Sequence, residues 1–271
     1  MVRITDGCFE RLVCFIKANY GMDLANKRVL ADSRLASTAA SEGYHDLDSY
    51  IEDAMSPDNI RLRTQLVNRL TTNHTYFMRE AEHFTFMFEK VLPYIESTVT
   101  DRDVRIWCAG CSTGQEAYSM SMVIDEYFGA ARHRWDTTIL ATDINTDALI
   151  TARNGIYPAD AVDGLSEERV DRYFTRQPDG SYRINEDIRN SVVFKRFNLM
   201  DEIVYKKPFD LISCRNVMIY FSSETKDALV KRLCGCTKAG GYLFTGHAEN
   251  LSRDCGYEYI SPAIFRKPPE C

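Results

Sequence analysis

No apolar run in this chain approaches the length needed to cross a bilayer, so no membrane-inserted segment is expected. The opening stretch MVRITDGCFERLVCF sets acids among its apolar residues and lacks a small-residue cleavage pattern. That excludes a secretion signal and makes the cytoplasm the expected location. Positive charge is not in excess either: the formal net charge is −6, which argues against a general nucleic-acid binder while leaving room for a local basic face. Internal repeats and low-complexity segments are missing, so a repeat architecture is excluded. Cysteine is plentiful, but its partners are not. The nine cysteines are an odd number scattered through apolar segments, as reduced core thiols are. No histidine or further cysteine stands at zinc-finger spacing from Cys108-x-x-Cys111 or Cys234-x-Cys236, and Cys108 falls within a predicted strand. No metal site is therefore expected.

What is present is enough chain, 271 residues, for one large or two modest domains with a sizeable core. The first seventy or so residues read as helices without an intervening strand. Phe9, Leu12, Val13 and Ile16 make one apolar face, ended by Asn19-Tyr20-Gly21. Further helices are predicted over about 24–41 and 47–55, and a fourth starting at Ser56-Pro57 with serine as N-cap and proline at the first helical position. The expected organisation is a helical domain over 1–72, a linker and connecting helix over 73–98, and an α/β domain over 99–271. In the last of these, helices alternate with strands, the pattern of a mostly parallel sheet, and the chain ends in an antiparallel hairpin, Glu258 to Ile260 and Ala263 to Arg266. Residues 159–190 fit neither period and carry the turn signal Gln177-Pro178-Asp179-Gly180, which predicts a small β-rich insertion. A helix over 222–236 is expected to close at Ala239-Gly240-Gly241 before a strand from Tyr242 to Thr245.

The most telling stretch is RIWCAGCSTGQEAYSMSMVI, Arg105 to Ile124. Ile106 to Ala109 reads as a buried strand, Gly110-Cys111-Ser112-Thr113-Gly114 as a turn, and Gln115 and Glu116 as the start of a helix. Such a turn presents unpaired backbone N–H groups and a positive dipole end to a ligand. The next strand, Thr138 to Thr142, ends on Asp143, whose carboxylate can accept hydrogen bonds from both hydroxyls of a ribose. A third constellation runs from Phe209 to Phe221 and puts Arg215, Asn216 and Tyr220 just past a buried strand. Asn73, Thr75 and Arg79 stand where the helical domain meets the sheet, and an arginine there can clamp a carboxylate with its planar fork.

Two other chemistries share parts of this pattern. Gly110 to Gly114 matches the G-x-S-x-G nucleophile elbow, with Asp210 and His247 following in hydrolase order. The candidate strand is however the first of the sheet, no glycine-rich oxyanion segment precedes it, and Asp143 has no hydrolase role. A dinucleotide fingerprint would need G-x-G-x-x-G, whereas here the glycines are spaced G-x-x-x-G and Glu116 follows. A carboxylate there repels a pyrophosphate and attracts an ammonium. S-adenosylmethionine has an ammonium and a ribose but no phosphate, and it suits this loop better. His247 and Glu249 read as structural or cleft-lining residues, with no ligand role expected of either.

Taken together, LTTNHTYFMREAEHF (Leu70 to Phe84), RIWCAGCSTGQEAYSMSM, ATDINTDALITARNGIY, RFNLMDE, FDLISCRNVMIYF and GYLFTGHAENLS closely resemble the CheR family of S-adenosylmethionine-dependent protein-glutamate O-methyltransferases of bacterial chemotaxis. The resemblance is weak in the first sixty residues and strong from Leu70 onward. It implies a class I methyltransferase sheet with a small all-α N-terminal domain and a small β insertion. It also implies cofactor contacts at Asn73, Thr75, Arg79, Glu116, Asp143, Asn198, Leu199, Arg215 and Asn216, with Arg79 and Tyr220 close to the transferred methyl. Gly110-Cys111 departs modestly from the family loop, where alanine or serine is common. The implied partner is the cytoplasmic helical bundle of a chemoreceptor, toward which Lys27, Arg28, Arg34, Arg61, Arg63 and Arg69 are expected to present a basic face. In some relatives the insertion also takes a receptor-tail peptide by β-augmentation. Methyl transfer to another acceptor, and cofactor sensing without turnover, are the alternatives.

Overall fold

The computed structural model describes residues 3–269. Four helices come first: α1 (Asp6–Tyr20), α2 (Arg28–Ser41), α3 (Leu47–Met55) and α4 (Ile60–Leu70). Helix α1 opens where the Thr5 side chain accepts the Cys8 N–H, and closes at Gly21, whose φ of 71° is a conformation that glycine adopts without strain. Leu12, Ile16, Leu35, Ile51 and Leu66 bring the four apolar faces into one buried cluster. Ser56 and Pro57 do not start α4. The Ser56 N–H closes α3 on the carbonyls of Glu52 and Asp53, and its own carbonyl accepts from Asn59, so the segment is a turn and α4 begins at Ile60.

A connecting rod follows, α5 (Ala81–Phe86), a π-helical turn (Met87–Val91) and α6 (Leu92–Thr98). The α/β part then runs β1 (Ile106–Ala109), α7 (Gln115–Phe128), β2 (Ile139–Asp143), α8 (Thr146–Asn154), β3 (Ile156–Tyr157), α9 (Glu167–Tyr173), β4 (Phe174–Arg176), β5 (Tyr182–Ile184), α10 (Glu186–Asn190), β6 (Val192–Arg196), β7 (Phe209–Cys214), α11 (Ser223–Cys236), β8 (Thr237–Thr245), β9 (Glu258–Ser261) and β10 (Ile264–Arg266). The main sheet has the order β6-β2-β1-β7-β8-β10-β9, parallel from β6 through β8 and antiparallel at the β10–β9 hairpin. Strand β1 shows why this sheet is covered on both faces. Ile106 and Cys108 enter one core, while Trp107 and Ala109 enter the other.

Strand β8 is longer than the sequence pattern suggests. Thr237 pairs with Phe209 and Tyr242 with Leu211, so the Ala239-Gly240-Gly241 break is a bulge within one strand. The separate three-stranded sheet, β3-β5-β4, takes in Ile156–Tyr157, ahead of the expected start at 159, and the same segment carries α9 and α10. Among the described residues no helix is long and apolar enough to cross a membrane.

The chain steps outward from β1 to β2 and β6, then returns to lay β7 on the other side of β1. That reversal opens a crevice at the carboxyl ends of β1, β2 and β7, the place where open α/β sheets bind ligands.

Candidate functional site

The floor of the crevice is the turn from β1 into α7. Gly110, Ser112 and Gly114 all have positive φ, at 86°, 50° and 97°. The N–H groups of Gly110 and Cys111 donate to the Thr142 carbonyl at 2.7 and 2.9 Å, tying the turn to β2. A Cβ on Gly110 would stand 2.3 Å from Cγ2 of Val217, so the turn lies against the segment after β7 because that residue has no side chain. Cys111 is buried in the core, which explains why a thiol is tolerated in this loop. Burial holds both the Cys108 and Cys111 thiols well above their usual range, as inert core groups.

Asp143 ends β2 with both carboxylate oxygens already aimed. Oδ2 accepts the Ser112 N–H at 2.7 Å and Oδ1 the Asn145 N–H at 2.8 Å. An ionised carboxylate has about four acceptor sites, so each oxygen keeps capacity for a second donor. Burial raises this carboxyl's pKa despite those N–H groups.

Arg215 is the hub of the opposite wall. Its side chain is 1% exposed and lies between two carboxylates, Glu116 Oε2 at 3.2 Å and Glu80 Oε2 at 3.3 Å. It also donates to the Arg79 carbonyl. Glu116 Oε1 accepts from Ser213 Oγ at 2.6 Å, and Glu80 Oε1 accepts from Asn216 Nδ2 at 3.2 Å. Arg215 is thus the arginine that pairs with the protein's own carboxylates in the cleft. Arg79, expected to clamp a carboxylate, donates to the His74 carbonyl at 2.8 Å and lies 5.7 Å from the Tyr76 ring centroid. It makes no ion pair among the described residues.

Every residue singled out from the sequence, namely Asn73, Thr75, Arg79, Glu116, Asp143, Asn198, Leu199, Arg215, Asn216 and Tyr220, lines this one cleft. It holds about 1140 Å³ of space including its open mouth. The lid comes from the α1–α2 connection, where Tyr20, Met22, Leu24 and Lys27 face the cavity. Tyr220 joins the two parts: its carbonyl accepts the Asp23 N–H at 2.8 Å and Lys27 Nζ lies 4.5 Å from its ring centroid. Asn198 Nδ2 reaches the Asn19 carbonyl at 2.8 Å, a second tie between lid and sheet.

The expected basic docking face is largely spoken for. Lys27 is in the cleft, Arg28 pairs with Asp6, Arg61 with Glu42, and Arg63 holds the Ser56 carbonyl. Arg34 donates to the Thr71 carbonyl at 2.8 Å, just past the end of α4. The hydrolase arrangement is not assembled either. Ser112 Oγ donates to the Asn73 carbonyl, Asp210 pairs with Lys238, and His247 pairs with Glu82.

Two acids carry more of the site than the sequence reveals. Glu80, at a φ of 58°, supplies Arg215 with its second carboxylate. Glu249 is buried and accepts the N–H groups of Asn216, Met218, Ile219 and Gly246 at 2.6–3.2 Å, pinning the segment that carries Asn216 and Tyr220. Neither role has a local sequence signal, since both depend on chain segments that meet only in the fold.

Residues 73–263 match the family described as CheR methyltransferase, SAM binding domain. A chemotaxis protein methyltransferase of Borreliella burgdorferi is 38% identical over 272 residues, covering 98% of this chain and 96% of that protein. Chemotaxis protein methyltransferase Cher2 of Pseudomonas putida is 35% identical, covering 90% of each chain. The Escherichia coli chemotaxis protein methyltransferase is 34% identical, covering 92% of this chain and 86% of that one. A family match through the whole α/β part, over a class I methyltransferase sheet, with relatives aligned nearly end to end, makes this chain a member of the CheR methyltransferases with S-adenosylmethionine as its cofactor.

Proposed function

We propose that this chain methylates glutamate side-chain carboxylates on the cytoplasmic helices of a chemoreceptor, forming methyl esters in chemotactic adaptation. The observation that carries the reading is the presence of two cations without a counter-ion in the cleft lining. Lys27 lies over the Tyr220 ring and Arg79 lines the same cleft, and neither makes an ion pair among the described residues. An anionic acceptor suits that lining, whereas a nucleobase would call for an Asn/Asp-Pro-Pro-aromatic segment where Arg215-Asn216-Val217-Met218 stands.

The donor end fits S-adenosylmethionine by its donor set. Asp143 keeps acceptor capacity for a ribose diol. Glu116, Arg215 and Glu80 together carry one net negative charge, which the amino-acid ammonium neutralises. Asn73, Thr75, Asn198, Leu199 and Asn216 complete the walls. Bound S-adenosylmethionine supplies a sulfonium methyl, an electrophile that a carboxylate can take up in an in-line displacement. A glutamate, with a pKa of about 4.3, is already ionised at neutral pH, so the protein needs no general base. Its tasks are orientation and exclusion of water, and in favourable cases orientation alone supplies roughly 7–11 kcal/mol of a barrier. Arg79 orients the incoming carboxylate or the cofactor, and Tyr220 shapes the transfer site. If Arg79→Ala and Tyr220→Phe both turned over like wild type at saturating cofactor, these roles would be wrong. The edges of the three-stranded sheet, β3 and β4, are where a receptor-tail peptide would add as a further strand.

The test is transfer of tritiated methyl from S-adenosylmethionine to an isolated receptor cytoplasmic fragment. Base-labile label is the expected result. Label stable to mild base would indicate N-methylation and another acceptor, and no label would favour a cofactor-sensing module.

A further inference from the structure

Behind Arg215, outside the cofactor cleft, three potential ligand groups converge from two distant parts of the chain. Glu80 and His83 come from the start of α5, and His247 comes from the loop after β8. One ligand atom from each lies within 4.8 Å of the other two. We propose that Glu80, His83 and His247 bind a divalent transition-metal ion, with zinc as the ion best suited to two imidazoles and a carboxylate.

The hydrogen bonding around the two rings leaves a nitrogen of each for the metal. His83 is fully buried, and its Nε2 lies 3.2 Å from the Ala263 carbonyl. A carbonyl only accepts, so Nε2 carries the proton and Nδ1 is a bare lone pair. That Nδ1 has no hydrogen-bond partner and faces Glu80 Oε2 at 3.5 Å. Two acceptors thus confront each other in the interior, an arrangement that lacks a positive charge between them.

His247 repeats the pattern. Its Nε2 lies 2.7 Å from Glu82 Oε1, which holds a proton on that nitrogen and leaves Nδ1 free. An outer carbonyl on one imidazole and an outer carboxylate on the other are the partners that metal-binding histidines require. Charge agrees as well. Glu80 among the ligands and Glu82 on the outer nitrogen of His247 place two carboxylates about the ion. Bound there, the ion would brace Glu80, the acid that holds Arg215 and Asn216 in the cofactor wall.

The experiment uses the whole chain, stripped with a chelator and titrated with Co²⁺ as a spectroscopic probe and with Zn²⁺ by calorimetry. One ion per chain is expected, with visible Co²⁺ absorption bands and a Tm that rises with Zn²⁺ concentration. His247→Gln, at a half-exposed position that leaves the fold intact by circular dichroism, should weaken binding at least tenfold, and Glu82→Gln about 10–100-fold. Absence of Co²⁺ bands and of a Zn²⁺ heat at micromolar protein would overturn the proposal. So would equal affinity in wild type and His247→Gln, which would put the ion elsewhere. None of these readouts depends on methyl transfer.

Discussion

Replacing Arg215 by methionine separates the cohesion of this site from its binding. The guanidinium is 1% exposed, and the carboxylates of Glu116 and Glu80 are only 13% and 14% exposed. Removing the central cation leaves two nearly buried anions with no counter-charge. Breaking a buried pair from one side typically destabilises by about 3–5 kcal/mol, a large share of a total stability of about 5–15 kcal/mol. Urea unfolding followed by circular dichroism should show that loss as a lower midpoint at unchanged slope. Adding Glu80→Gln and Glu116→Gln removes the stranded charges, and the triple variant should recover most of the stability. Both proteins should nevertheless fail to bind S-adenosylhomocysteine in calorimetry, because the charged wall is gone in each. A loss below about 1 kcal/mol for Arg215→Met, the size expected of an exposed pair, would refute the reasoning. A triple variant no more stable than the single one would refute it equally.

Asp143→Ala should weaken S-adenosylhomocysteine about 10–100-fold by calorimetry, the size of one lost charge-assisted hydrogen bond of roughly 1.5–3 kcal/mol. Because burial raises the Asp143 pKa, its proton returns at a higher pH than that of an ordinary aspartate as the solution is acidified. A group with a raised folded pKa favours the folded state in its protonated form, so acidification should weaken cofactor binding without an Asp143 contribution to unfolding, and Asp143→Asn should flatten that dependence. Gly110→Ala places a Cβ 2.3 Å from Val217 at a φ of 86°, and thermal melts should show a loss of about 1–3 kcal/mol that Val217→Ala only partly restores. Glu249→Gln turns an amide NH₂ toward two backbone N–H donors, and denaturant unfolding should register about 2–6 kcal/mol for two unsatisfied groups.

Much of the fold was legible because local patterns and tertiary demands coincide. The apolar run Ile106 to Ala109, the glycines after it and the acid ending the next strand each carry a local signal, and together they placed β1, the turn and β2. Ser56-Pro57 misled because the same serine that can cap a helix also closes the preceding one. The Gly240-Gly241 break misled in the other direction: the chain leaves the ladder and rejoins it without ending the strand. At the site, the residues sharing the cleft were readable from strand ends and motifs, but their pairings were not. Arg79 and Arg215 look alike in sequence. Only the fold sets Arg215 between two buried acids and leaves Arg79 on a carbonyl. Lys27 read as a surface charge on a helical domain, and the α1–α2 connection instead folds it over Tyr220. Glu249 serves a segment some thirty residues upstream, a relation that no spacing rule encodes.

The central claim is that the cleft esterifies acceptor glutamates using S-adenosylmethionine. Peptide mass mapping of a receptor cytoplasmic fragment, incubated with this protein and the cofactor, tests it most directly. A mass increase of one methylene is expected on particular glutamates, removed by mild base and absent with Asp143→Ala at limiting cofactor. Unmodified glutamates after exhaustive incubation, or the added mass on a lysine, arginine or backbone nitrogen, would contradict it.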